Sequence, residues 1–327
     1  MLRLGACTIW STGRKHSWPH FIHLLCPDLP NRLHTCSLPY ADDVKIFHRI
    51  RRPSDVASLQ ADLNHLHDWS KIWHLKLNPA KYRVITFTLR SSPITSSYFL
   101  DGHQLERCTS VRDFGVMLDS KLTFGDHVDS IMSRANRMLG LLLRSIQISP
   151  CARLPTLDHR AILYAYYAHI RSILEYSSVI WAGASVKHLA RLERLQHRYL
   201  MWLCVKTRSQ CTLDYSSLLQ FFQCPSIKAR LIQADVRFVL SVFAGRLDCS
   251  QLVSQFSLLA PSRRSRHTRL LHVPRGRVNT GRNGFTIRVT RLVNDFLAQK
   301  PEEDLFHPSC LFKKRVLDYA NSAGVYS

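Results

Sequence analysis

The chain has 327 residues, 46% of them hydrophobic, which excludes a wholly disordered basic tail and allows two or three domains at about 100 to 200 residues each. Forty-five Lys and Arg against 23 Asp and Glu leave a net charge of +22, a surplus that points to a polyanionic partner. Twelve Gly and 14 Pro exclude collagen-like and low-complexity chains.

The first 30 residues show neither a helical nor a strand period, and residues 1–35 read as a degenerate N-terminal remnant, with Asp28 the sole acid before Tyr40. The run from Met1 to Trp10 is too short and carries Arg3 too early for a secretory leader. The expected location is intracellular, nuclear or cytoplasmic, and not secreted. From Arg32 an extended segment leads to Tyr40-Ala41-Asp42-Asp43 and leaves through Val44 to Phe47, two strands joined by an acidic turn. Pro39 is awkward in such a strand because it has no N–H to donate.

Ser54 or Asp55 then caps a helix whose face is Val56, Leu59, Leu63, Leu66 and Trp73, with Asn78-Pro79 as the stop. Val84 to Leu89 alternates as a half-buried strand, and Asp101-Gly102 marks a hairpin. Residues 36–118 are therefore expected to form an α+β unit of antiparallel sheet plus helix. Beyond it the spacing of Val128, Ile131, Met132, Ala135 and Leu139, and of Leu189, Leu192, Leu195 and Tyr199, predicts a mostly α-helical region over 119–248.

Residues 249–327 read as a basic loop region and a terminal helix near Pro308 to Ala320. Cys249 to Asn294 contains no acid, while Arg263, Arg264, Arg266, Arg269, Arg275, Arg277, Arg282, Arg288 and Arg291 supply nine charges. The longest apolar stretch, Ala161 to Trp181, is broken by His169, Arg171 and Glu175, so no membrane partner is expected. Ten scattered cysteines without a CxxC pair read as reduced thiols.

Two adjacent carboxylates at a tight turn repel each other and call for a cation. Asp42 and Asp43 could offer oxygens to Mg²⁺, which takes one or two carboxylates plus waters and phosphates; a solvated Asp-Asp turn is the plainer reading of the pair taken alone. The arginines can bind phosphates through counterion release. Arg191, Arg194 and Arg198 add a stripe along one side of the Lys187 to Met201 helix. His65 and His67, two apart on a helix, face different ways and make no metal site.

Five ordered blocks change the weight of the acidic turn. They are Tyr40-Ala41-Asp42-Asp43, Leu77-Asn78-Pro79-Ala80-Lys81, Phe99-Leu100-Asp101-Gly102, Phe114 to Asp119, and Leu122-Thr123-Phe124 to His127. The set resembles the reverse transcriptases of non-long-terminal-repeat retrotransposons of the Jockey-like kind. The likeness continues in Arg171 to Tyr176, Trp181 and Pro274 to Leu292, and so spans residues 28 to 320.

The resemblance implies RNA-directed DNA polymerisation with Mg²⁺ or Mn²⁺, an RNA template and a DNA primer. It implies Asp42 and Asp43 as metal ligands, Tyr40 beside the primer terminus or incoming nucleotide, and Lys81 as proton donor to the leaving pyrophosphate. It also implies a partial palm over 36–118 with a primer-grip-like hairpin, then a thumb. The family's further metal-binding aspartate, on an upstream strand, and its Gln-Gly motif have no counterpart before Tyr40. An N-terminally truncated, inactive fragment is therefore expected, with a non-catalytic nucleic-acid-binding remnant as the alternative. Its sheet should lack a strand and show an open edge.

Overall fold

The computed structural model divides into two compact units, Met1–Leu122 and Thr123–Ser327. The structure describes residues 6–11, 33–40, 43–75, 77–90, 92–147, 159–207, 214–259, 269–275, 283–309 and 311–325. The architecture is mixed α+β, the sheet lying in the first unit and the second being helical.

The first unit runs β1 (Ala6–Ser11), β2 (Cys36–Tyr40), β3 (Asp43–Arg49), α1 (Pro53–Ile72) and β4 (Tyr82–Phe87). Short strands follow: β5 (Phe99–Leu100), β6 (His103–Gln104), β7 (Glu106–Cys108), β8 (Ser110–Asp113) and β9 (Val116–Asp119). The main sheet has the order β2-β3-β1-β4-β7. Pro39 thus sits on an edge strand, where a missing donor is tolerated.

β1 is a departure from the expectation for residues 1–35. It lies in the middle of the sheet, paired antiparallel with both β3 and β4. Its sequence, Ala6-Cys7-Thr8-Ile9-Trp10-Ser11, does not alternate apolar and polar residues, so period two does not mark it. With β1 in place the edges of this sheet are β2 and β7.

Pro53 occupies the first position of α1, and Arg52, not Ser54 or Asp55, is the capping residue. The Asp55 carboxylate instead accepts the Arg51 and Arg52 N–H groups at 2.7 and 2.9 Å, which satisfies donors at the helix start. Leu59, Leu63 and Leu66 bury the apolar face of α1 in a core with Ile46, Tyr82, Val84, Tyr98, Leu100 and Leu105. β4 is buried on both faces rather than one, since Ile85 and Phe87 are as inaccessible as Val84 and β8 lies against the strand.

The second unit begins with α2 (Gly125–Gln147) and α3 (His159–Tyr166), which continues through a π-helical turn at Tyr167–Arg171 into α4 (Ser172–Glu175). Then come α5 (Ser178–Trp181), α6 (Val186–Lys206), α7 (Tyr215–Phe221), α8 (Ile227–Phe243) and α9 (Ser250–Val253). The last described helices are α10 (Phe285–Gln299) and α11 (Phe312–Val325). One core joins Val236, Val239 and Leu240 of α8 to Val289, Val293 and Phe296 of α10 and Val316 and Tyr319 of α11.

The stretch read as loop to Asn294 is therefore helical from Phe285, because the Arg residues interrupt its apolar run without disturbing its helical spacing. The Asn294 side chain accepts the Leu271 N–H at 3.0 Å and donates to the Leu271 carbonyl at 2.8 Å, tying the preceding segment to this helix. Cys204 is disulfide-bonded, contrary to the expectation of reduced thiols throughout, whereas Cys36, Cys108, Cys224 and Cys249 are free.

Backbone also packs against backbone here. A Cβ added at Gly183 would stand 2.4 Å from the Asn283 carbonyl oxygen, so Gly183→Ala must displace main chain. We expect it to destabilise the helical unit by about 1–3 kcal/mol, read as a lower urea midpoint.

Candidate functional site

The hairpin of β2 and β3 is closed by the cross-strand pair Tyr40 and Asp43, with Ala41 and Asp42 as the two connecting residues. Ala41 and Asp42 lie outside the described residues, and Tyr40 and Asp43 are described by their backbone. The order strand, acidic turn, strand is the one read from the sequence.

Lys81 approaches the same end of the sheet by a separate route. The Asn78 side-chain oxygen accepts the Ala80 N–H at 3.1 Å and nucleates a 3₁₀ turn, Pro79–Lys81, directly ahead of β4. β3 and β4 both run antiparallel to β1, so they run the same way, and Lys45 and Arg83 both oppose Trp10. Counting back two residues along each chain puts Asp43 and Lys81 at about the same level, their backbones two strand spacings or ~10 Å apart. The strand between them carries no carboxylate, and neither does β2. Asp113 reaches β3 from β8, but it binds Lys45 at 2.6 Å, and the Lys45 ammonium also lies 3.9 Å from the Phe114 ring centre.

The Asp101-Gly102 turn has positive φ at both residues, 53° and 72°, as a two-residue hairpin requires. Sequence reasoning missed what fastens it. Gln60 on α1 acts as an extra strand residue, accepting the Phe99 N–H at 2.9 Å and donating to the Phe99 carbonyl at 2.8 Å. A side-chain amide can mimic a peptide in this way, but no local signal marks the pairing of residues 39 apart.

In the helical unit the family-like blocks meet as structure. His127 packs on Trp181, ring centroids 5.6 Å apart, and the Trp181 indole N–H donates to the Tyr176 carbonyl at 2.8 Å. Glu175 receives Arg171 at 3.1 Å and Arg230 at 2.8 Å. Arg288, counted among the basic loop charges, instead donates to Asp235 at 2.8 Å and to the Val179 carbonyl at 2.8 Å. Burial pushes the Asp235 carboxyl upward, and Arg288 only partly offsets that.

The arginine stripe on α6 is divided in the same way. Arg191 pairs with Asp129 and Arg198 donates to Asn136, each at 2.5 Å, so both lace α6 to α2. Arg194 is exposed between them. Arg269 and Arg275 are exposed as well, whereas Arg263, Arg264, Arg266, Arg277 and Arg282 lie outside the described residues.

Comparison with known proteins agrees with the family resemblance. The curated homologues of the chain are RNA-directed DNA polymerases of Drosophila non-LTR retrotransposons, matched over about half of this chain. The probable RNA-directed DNA polymerase from transposon BS of Drosophila melanogaster is 31% identical over 161 residues, 49% of this chain and 17% of the relative. The corresponding protein from transposon X-element of the same species is 25% identical over 164 residues, again 49% and 17%. The RNA-directed DNA polymerase from mobile element jockey of Drosophila funebris is 25% identical over 199 residues, 56% of this chain and 20% of the relative. The chain thus spans about a fifth or less of the length of the relatives it matches. No protein-family model matches it, and no solved structure matches it significantly.

The block around Glu175 should therefore behave as a tie rather than as a reactive centre. Glu175→Ala leaves two guanidinium groups without their carboxylate and is expected to cost about 1–3 kcal/mol in urea unfolding. Arg194→Ala should stay within about 0.5 kcal/mol of the parent.

Proposed function

We propose that this reverse-transcriptase-related chain binds nucleic acid through its basic surface and does not polymerise on its own. The observation that carries the second part is the composition of the strand beside the acidic turn. A two-ion phosphoryl-transfer site clamps cations about 3.5–4 Å apart and needs shared carboxylates around the pair. Asp42 and Asp43 have suitable oxygen chemistry, yet β1 and β2, which flank β3, contain no Asp or Glu. Among the described residues the donor set therefore does not fit a resident pair of Mg²⁺ or Mn²⁺ ions.

The homology supports a partial palm for the first unit and a thumb-like role for the second. In that reading Tyr40 sits near a primer terminus, and Lys81, level with Asp43, would hold a proton near departing pyrophosphate. The net charge of +22 supports an RNA template and DNA primer as the ligands, as do the exposed Arg194, Arg269 and Arg275. Among the described residues no helix is long and apolar enough to cross a membrane. A nuclear or cytoplasmic site of action is part of the same proposal.

Primer extension on an RNA template with Mg²⁺ or Mn²⁺ is expected to yield nothing; product that disappears in Asp42→Asn overturns the non-polymerising reading. Separately, affinity for a primer–template duplex should fall steeply with salt and be alike for unrelated sequences, log K dropping by ~0.9 per neutralised phosphate as log salt rises. Arg194→Ala should lower that slope by about one phosphate contact. A flat salt response removes the binding claim.

A further inference from the structure

A cluster away from the acidic turn brings together side chains from two segments. Asp62 on α1 is 0% exposed, and its two oxygens accept the N–H groups of His34 at 3.0 Å and Thr35 at 2.7 Å. His65, one helical turn further on, holds Nδ1 3.7 Å from Asp62 Oδ1. The His34 ring meets the His65 ring edge-on, centroids 5.6 Å apart. Each of the three residues offers one ligand atom, and those atoms all lie within 4.8 Å of one another. Both imidazoles face solvent.

Three features favour a bound ion over a carboxylate that only ties two segments together. First, Asp62 has no Lys or Arg ion-pair partner among the described residues; residues 34 and 35 and the His65 ring are what its buried carboxylate meets. Second, 3.7 Å is too long for a hydrogen bond from His65. Two ligands on one tetrahedral ion with arms of about 2.0–2.1 Å stand about 3.3–3.4 Å apart, a gap that a small side-chain adjustment reaches. Third, each carboxylate oxygen keeps a lone pair after accepting its backbone N–H, and those N–H groups orient it as supporting contacts orient metal ligands.

We propose that His34, Asp62 and His65 form a three-ligand site for a zinc-class divalent ion, clamping the segment that enters β2 onto α1. Two imidazoles and one carboxylate suit zinc, with cobalt as its spectroscopic stand-in, and do not suit Mg²⁺ or Ca²⁺, which take oxygen donors. The solvent-facing side leaves the fourth position to water. The site rests on neither the polymerase homology nor the acidic turn.

Cobalt(II) added to the full chain is the test. The parent protein should develop the visible absorption of four-coordinate Co²⁺, and added Zn²⁺ should abolish it. His34→Ala and His65→Ala each remove one exposed ligand, so both should keep the parent far-UV circular dichroism while weakening Co²⁺ at least about tenfold. His67→Ala is the control. Its ring points to Asp101 at 3.3 Å, and binding should be unchanged. Absence of the band in the parent protein with cobalt in excess overturns the proposal. So does a band of parental affinity in both His34→Ala and His65→Ala, which would assign the ion to other ligands such as the cysteines.

Discussion

Backbone pairing of Ala6–Ser11 with two strands at once is the constraint on which the first unit depends. β3 and β4 each have one side of their peptide groups turned toward β1, and a buried peptide group without a partner costs free energy. Without that strand the acidic hairpin and the Lys81 turn would share the α1 core but not one sheet. With it they lie at one end of one sheet, in a register set by Trp10 opposing both Lys45 and Arg83. The same strand, Ala6-Cys7-Thr8-Ile9-Trp10-Ser11, contains no Asp or Glu.

Arginine serves two purposes in the helical unit, and burial separates them. Arg230 with Glu175 and Arg288 with Asp235 are internal ties, where the planar guanidinium reaches both a carboxylate and other acceptors. Arg191 and Arg198 join α6 to α2 nearer the surface. The charge surplus is real, but the part available to a polyanion is smaller than a count of basic residues suggests. Arg194, Arg269 and Arg275 are among the exposed ones.

The acidic turn and the His34, Asp62 and His65 cluster make different demands on the same stretch of chain. Residues 33–35 lead into β2, whose far end is Tyr40. Holding residues 34 and 35 against α1 through Asp62 fixes where β2 begins, and hydrogen bonds to β3 carry that placement toward the turn. A buried carboxylate on the helix is thus one anchor of the hairpin at the sheet edge.

Much of the chain was legible locally. Leu59, Leu63 and Leu66 mark α1, Asp101-Gly102 marks its hairpin, and Tyr40 to Asp43 marks a strand-turn-strand, because each depends on neighbours within a few residues and on backbone preferences those residues carry. The ordered blocks likewise led to the polymerase relatives. Partners distant in sequence could not be read that way. β1 carries no period-two pattern, and its place is set by backbone pairing with β3 and β4; Gln60 meets Phe99, Asp62 meets His34, and Arg288 meets Asp235 only after folding. Hydrogen-bond satisfaction and burial choose those pairs over the whole unit, and short-range spacing holds no record of the choice.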